Sequence, residues 1–129
     1  MAATPVRRLA RRAGDVICIS AVAVGVAALV SCAGSAPDVP AGPGGNPDAV
    51  LSLGREIWGG RCVACHGTDG RGGRGKKLDD GQIFELFPEI DTMMAVIANG
   101  KGRGMPAFGG VLSAEEIEAV SRYVREVLN

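Results

Sequence analysis

The segment Arg61-Cys62-Val63-Ala64-Cys65-His66-Gly67 concentrates the reactive chemistry of this 129-residue chain. Two thiols and an imidazole at positions i, i+3 and i+4 share one face of a helical turn. A turn of that kind presents three bonds to one flat ring. Two thiols become thioethers and the imidazole ligates iron, which is the attachment pattern C-x-x-C-H of c-type haem. Other chemistries compete for the same residues. Structural zinc needs four protein ligands and catalytic zinc three plus water. His66 is the only histidine of the chain, and the other cysteines are Cys18 and Cys32, far toward the N-terminus. A thioredoxin-like redox pair belongs in βαβ surroundings, and no alternating strand pattern flanks this motif. A chance match in a structural turn is the remaining alternative.

Haem iron held by one histidine keeps a sixth position, and what fills it separates function classes. Left open, it permits gas binding or peroxidase-type chemistry; filled by a thioether, it favours electron transfer. Met93 and Met94 lie in DTMMAVIANG, whose apolar spacing and final Asn-Gly read as a short helix with its C-terminal cap, so both are expected to fill core. Met105 sits instead in GKGRGMPAFGG. There the glycines let backbone run close to a flat surface, and Pro106 pushes Met105 toward an extended conformation. Met105 is therefore the candidate distal ligand.

These residues need a scaffold, and the composition is at first unpromising. The chain carries 20 glycines, 7 prolines and only five aromatic rings. Lys plus Arg equal Asp plus Glu at 14 each, so no net basic charge drives binding to a polyanion, and nucleic acid is a poor partner. The 47% hydrophobic fraction is inflated by one run, Val16 to Val30, preceded by Arg7, Arg8, Arg11 and Arg12. A basic region followed by about 15 apolar residues has the architecture of an export signal, and a bilayer-spanning helix needs about 20. The run ends in Leu29-Val30-Ser31-Cys32, which resembles the lipobox of bacterial lipoproteins and implies a lipidated Cys32 at the new N-terminus. Cleavage after Ala36 by an ordinary signal peptidase and an uncleaved anchor are the alternatives, and Arg11-Arg12 also admits a twin-arginine reading. Every route places the rest of the chain outside the cytoplasm. The expected organisation is a signal peptide over 1–31, a flexible Gly/Pro-rich tether over 32–47, and a folded domain over 48–129.

That domain has 14 glycines and two prolines, Pro88 and Pro106. Asn46-Pro47-Asp48 reads as a cap followed by a first-turn proline, after which Val50, Leu51, Leu53, Ile57 and Trp58 form an apolar face. Gln82 to Phe87 reads as a short helix ended by Pro88, with Phe84 and Phe87 facing the ring. Ser113-Ala114-Glu115-Glu116 is a capping box, and Ile117, Val120, Tyr123, Val124 and Val127 recur at helical spacing. The two terminal helices should cross and close the core.

Gly54 and Trp58 ahead of CVACHG, the DGRGGRG stretch after it, the ANGKGRGMPAFGG loop and LSAEEIEAVSRYVREVL at the end together resemble a small class I, monohaem cytochrome c. The resemblance spans nearly the whole domain, in the family's order. It implies an all-α fold of three to four helices around one covalent haem c, with Cys62 and Cys65 as thioethers, His66 as proximal and Met105 as distal ligand. It also implies that Gly54 and Trp58 meet Tyr123 where the terminal helices cross, and an electron-transfer protein rather than an enzyme, working with redox proteins as donor and acceptor; the lipobox, through Cys32, implies a tie to a membrane. A haem domain with a catalytic or gas-sensing role is the alternative if Met105 is absent from the iron or labile. One departure stands out. The family commonly places a proline ten to fifteen residues after the histidine, whose carbonyl accepts the imidazole N–H, and here Lys76-Lys77-Leu78 occupies that region. Around the motif Arg61, Arg71, Arg74, Lys76 and Lys77 fall within 17 residues, while the chain from Cys32 onward carries ten basic and thirteen acidic side chains. A basic rim on an acidic body would steer an acidic partner.

Overall fold

The structure, a computed structural model, describes residues 34–129. The signal segment and Cys32 lie outside the described residues. Helices α1 (Ala49–Ile57), a π-turn (Trp58–Cys62) and α2 (Val63–His66) run on without a break, followed by α3 (Gln82–Leu86), α4 (Ile90–Asn99) and α5 (Ala114–Glu126). Among the described residues there is no strand, only isolated bridges between Ala41 and Pro47 and between Lys101 and Met105. The fold is all-α, with four continuous helical stretches.

The start of α1 differs from the expected cap. Asp48, not Asn46, is the N-cap, its carboxylate accepting from the backbone N–H groups of Val50 (2.8 Å) and Leu51 (3.0 Å). Pro47 lies outside the helix in the bridge with Ala41, and the Asn46 carbonyl accepts from Gly42. The buried face of α1 is narrower than the apolar run, comprising Leu51, Gly54 and Ile57; Val50 and Leu53 are exposed. Helix α5 begins on the expected capping box, with Ser113 and Glu116 each accepting from the other's backbone N–H.

Helices α1 and α5 form the principal crossing. A Cβ at Gly54 would collide with the Ala119 carbonyl and stand 2.7 Å from Tyr123 Cβ, so only glycine allows this approach. Trp58 packs beside Tyr123, ring centroids 6.3 Å apart, and both are fully buried. The expected contact of Gly54 and Trp58 with Tyr123 is thus present. Each large apolar side chain buried here contributes about 1.5–3 kcal/mol. Arg125 ties α5 to the corner between α3 and α4, donating to the carbonyls of Phe87 (2.6 Å) and Pro88 (3.2 Å) while standing 4.9 Å from the Phe84 ring.

The segment read from composition as a flexible tether is ordered where it is described. Ala36 and Val39 pack against the core. The Pro37 carbonyl accepts from two partners, Arg55 Nε (2.9 Å) and the Tyr123 hydroxyl (2.7 Å). Within the segment expected to be a tether, residues 36–39 thus make these contacts, and two side chains satisfy the carbonyls of Ala36 and Pro37.

Candidate haem site

The π-turn aims the C-x-x-C-H motif. Such bulges insert one residue into a helix and recur at functional sites. Here the extra residue lies in Trp58-Gly59-Gly60-Arg61-Cys62, between the core-facing Gly54 and Trp58 and the motif, and it rotates everything downstream relative to the core face. Cys62, Cys65 and His66 consequently line one cavity of about 610 Å³, together with Met105. Most of its wall is apolar, from Ile83, Leu86, Phe87, Met93, Ile97, Val120 and Val124.

The proximal side is built from backbone. After the motif the chain folds back on it, with Gly67 N–H donating to the Val63 carbonyl (2.9 Å), Gly72 to His66 (2.8 Å) and Gly75 to Cys65 (2.8 Å). A Cβ at Gly75 would stand 2.8–3.0 Å from three atoms of the His66 ring, so this glycine lies flat against the imidazole. The Lys76 carbonyl is 2.7 Å from His66 Nδ1. A carbonyl can only accept, so Nδ1 carries the proton and Nε2 presents its lone pair. The missing proline therefore removes no hydrogen bond, because the acceptor is a backbone atom that lysine supplies equally. Trp58 lies on the other side, its ring centroid 6.0 Å from that of His66 and its Nε1 donating to the Thr68 carbonyl (2.9 Å).

Met105 is half-buried and packs against the core. Its backbone pairs with Lys101 in both directions (3.0 and 3.3 Å), closing the loop into a tight hairpin. Gly100 ends α4 at φ 73°, ψ 179°, a conformation nearly confined to glycine, and a Cβ there would meet the Met105 carbonyl at 2.6 Å. The loop then docks on α4 through Phe108 N–H to Ile97 (3.0 Å) and Gly109 N–H to Ala98 (2.9 Å). Met93 is buried in the core and Met94 packs against it, as the helical spacing predicts.

One competing reading of the cysteines loses its footing. Burial, with the neighbouring Cys65 adding to it, pushes the Cys62 thiol up to about 11. A redox-active pair requires the opposite shift. The cavity suits a large, flat, mostly apolar ligand by volume, where ligand sites run roughly 300–1,000 Å³, and by donor set: two thiols and an imidazole on one turn, a thioether in the same wall.

Some expectations change. Phe87 lines the cavity, but Phe84 does not; it is exposed beneath the Arg125 guanidinium, since α3 turns Ile83 inward instead. Of the basic cluster, Arg61, Arg74, Lys76 and Lys77 line the cavity. Arg71 is drawn off by Asp69 (3.0 Å) and Asp79 (3.9 Å). Lys101, 24 residues beyond Lys77 in sequence, joins the rim. Charge clustering along the chain gives no sign of it, because the distal hairpin brings it there.

Fold and site together define a class, the small monohaem c-type cytochromes of class I. Comparison with known proteins narrows it. The family model for cytochrome c oxidase, cbb3-type, subunit III matches residues 49–124, more than half of the chain, and the chain belongs to this family. It is 39% identical over 87 residues to the cbb3-type cytochrome c oxidase subunit FixP of Azorhizobium caulinodans, covering 65% of this chain and 29% of that protein. It is 37% identical over 84 residues to the chloroplastic cytochrome c6 of Chlamydomonas reinhardtii, covering 59% of this chain and 53% of that one. The chain thus spans between a quarter and just over half the length of these relatives. Among solved structures, cytochrome cL of Methylophaga aminisulfidivorans superposes with a TM-score of 0.56 at 23% identity, covering 62% of this chain and 54% of the other, a likeness of fold. Proteins of this class carry one covalently bound haem c per chain, and the site described above fits it.

Proposed function

We propose that this protein is a membrane-tethered monohaem cytochrome that passes single electrons between redox partners outside the cytoplasmic membrane. The observation that carries this reading is that Met105 lines the same cavity as Cys62, Cys65 and His66. Haem bound there supplies a one-electron ferric/ferrous couple. Cys62 and Cys65 would fix the ring by thioether bonds. His66 Nε2, freed for iron by the hydrogen bond at Nδ1, would hold the iron on one side. The Met105 thioether would hold it on the other, a soft donor that favours the reduced state and closes the iron to small ligands. Apolar side chains exclude water from most of the ring, so the change of charge is met by a fixed environment.

At the mouth, Arg61, Arg74, Lys76, Lys77 and Lys101 are all exposed. Against the acidic remainder of the chain they would steer an acidic partner to that edge. Cys32 is the proposed lipidation site and the membrane attachment. The relative named as an oxidase subunit supports a second form of the same reading, in which the protein is the cytochrome component of such a complex. A ligand-binding or catalytic haem is favoured only by the exposure of residues 101–104.

Carbon monoxide tests the carrier reading. The native ferrous protein is expected to bind it poorly, and Met105→Ala to bind it readily with a high-spin spectrum and intact covalent attachment. Ready binding by the native protein would overturn the carrier. Cys32→Ser is expected to release the protein from membranes; retention would overturn lipid attachment.

A further inference from the structure

Residues 34–47 have a leash's composition and a docked segment's contacts. Extended proline-containing chain makes no hydrogen bonds of its own, so its carbonyls must be met from elsewhere when it packs. Arg55 and Tyr123 do this. Arg55 donates to the carbonyls of Ala36 (2.8 Å) and Pro37 (2.9 Å) and pairs with the Asp38 carboxylate (2.7 Å). Tyr123 donates to the same Pro37 carbonyl from the floor of the α1–α5 crossing. Burial pushes the phenol up, further from ionisation. Nothing in the haem site uses the Arg55 guanidinium or the Tyr123 hydroxyl. At its first described residue the segment reaches the haem side of the molecule: a Cβ on Gly34 would lie 3.6 Å from Thr68 Oγ1, two residues beyond His66.

We propose that residues 34–47 are a docked strap that sets the height and orientation of the haem domain on a lipid surface, with the Thr68 side toward the headgroups. This rests on the lipid attachment at Cys32 proposed above. The distances make the consequence concrete. From Cys32 to Gly34 two residues span at most about 7 Å. A free coil from Cys32 to Asp48 would instead have a root-mean-square span of about 22 Å and would let the domain tumble. Docking therefore shortens the leash about threefold and places its exit beside Thr68.

Two measurements test this on the holoprotein. In soluble Cys32→Ser protein, the amides of Ala36, Asp38, Val39 and Ala41 are expected to show order parameters near about 0.85, falling below about 0.6 when Arg55→Ala and Tyr123→Phe are added. Phenylalanine keeps the buried ring and removes only the hydroxyl. In the second measurement, lipidated protein is placed on vesicles of phosphatidylethanolamine and phosphatidylglycerol bearing a headgroup fluorophore. Energy transfer to the haem is expected to fall several-fold in the Arg55→Ala/Tyr123→Phe variant at equal haem content and equal membrane retention. A mobile strap in the Cys32→Ser protein, or equal transfer in both lipidated forms, overturns the proposal. Native protein that washes off the vesicles overturns the lipid anchor instead, and the order parameters still report whether the strap is docked.

Discussion

The two walls of the candidate haem site hold the proposed ligands by different means. On the proximal wall the side chain itself is gripped: Gly75 lies against the His66 ring, the Lys76 carbonyl accepts its N–H, and Trp58 stands beside it. On the distal wall only the backbone around the ligand is fixed, by the Lys101 pairing and by two bonds to the end of α4, and residues 101–104 and 106–107 are exposed. The contrast assigns different duties. A side chain held from three directions keeps its orientation through a redox cycle, whereas a ligand held at the base of a loop can yield without disturbing the rest of the fold.

The difference can be broken most severely at the π-turn. Deleting Gly60 restores an uninterrupted α-helix and rotates Cys62, Cys65 and His66 by about 100° relative to Gly54 and Trp58. Covalent haem, read by peroxidase stain on a denaturing gel, is expected to be lost. Next in size, Gly100→Ala and Gly75→Ala should separate the walls. Gly100→Ala places a side chain at positive φ against the Met105 carbonyl, at a cost of about 1–3 kcal/mol. The ferrous protein should then bind carbon monoxide while its proximal signature is unchanged. Gly75→Ala presses on the imidazole, costing about 1–3 kcal/mol in overpacking. Its effect should appear as a lower melting temperature of the holoprotein and shifted histidine ring resonances, with the iron still closed to carbon monoxide. The smallest effect is expected from Lys76→Pro. Among the described residues the Lys76 N–H makes no backbone hydrogen bond, and the carbonyl survives the change. Stability should alter by less than about 1 kcal/mol, and the His66 signature should persist. A large loss would show that the lysine side chain, not its carbonyl, orients the histidine.

What the sequence made legible follows the same division between side chains and backbone. The thiols, the imidazole and Met105 announce themselves by type and spacing. So does the capping box at Ser113, while the Gly54–Tyr123 crossing is legible only through the family resemblance. The Lys76 acceptor carries no side-chain signal, because any residue has a carbonyl. The π-turn is likewise silent, since Gly59 and Gly60 are as compatible with a loop as with a bulge. At residues 36–39 composition is silent, since Gly and Pro count toward flexibility and nothing in them marks the carbonyls that Arg55 and Tyr123 meet. Phe84 misled by size, because Arg125 offers an aromatic ring a surface position.

Residues 128 and 129 close against the segment that follows the motif. Asn129 accepts from Gly81 N–H (2.9 Å) and donates to the carbonyls of Leu78 (2.7 Å) and Val124 (2.8 Å), and Leu128 packs beneath Gly70. Helix α5, the partner of α1, also follows the motif by about fifty residues. Contacts of such separation form late, after the loop between them has closed. Until they form, the C-x-x-C-H turn lacks its wall and its two thiols stay reachable for covalent attachment in the still-unfolded chain, so the order of events in making the molecule is written into which residues touch which.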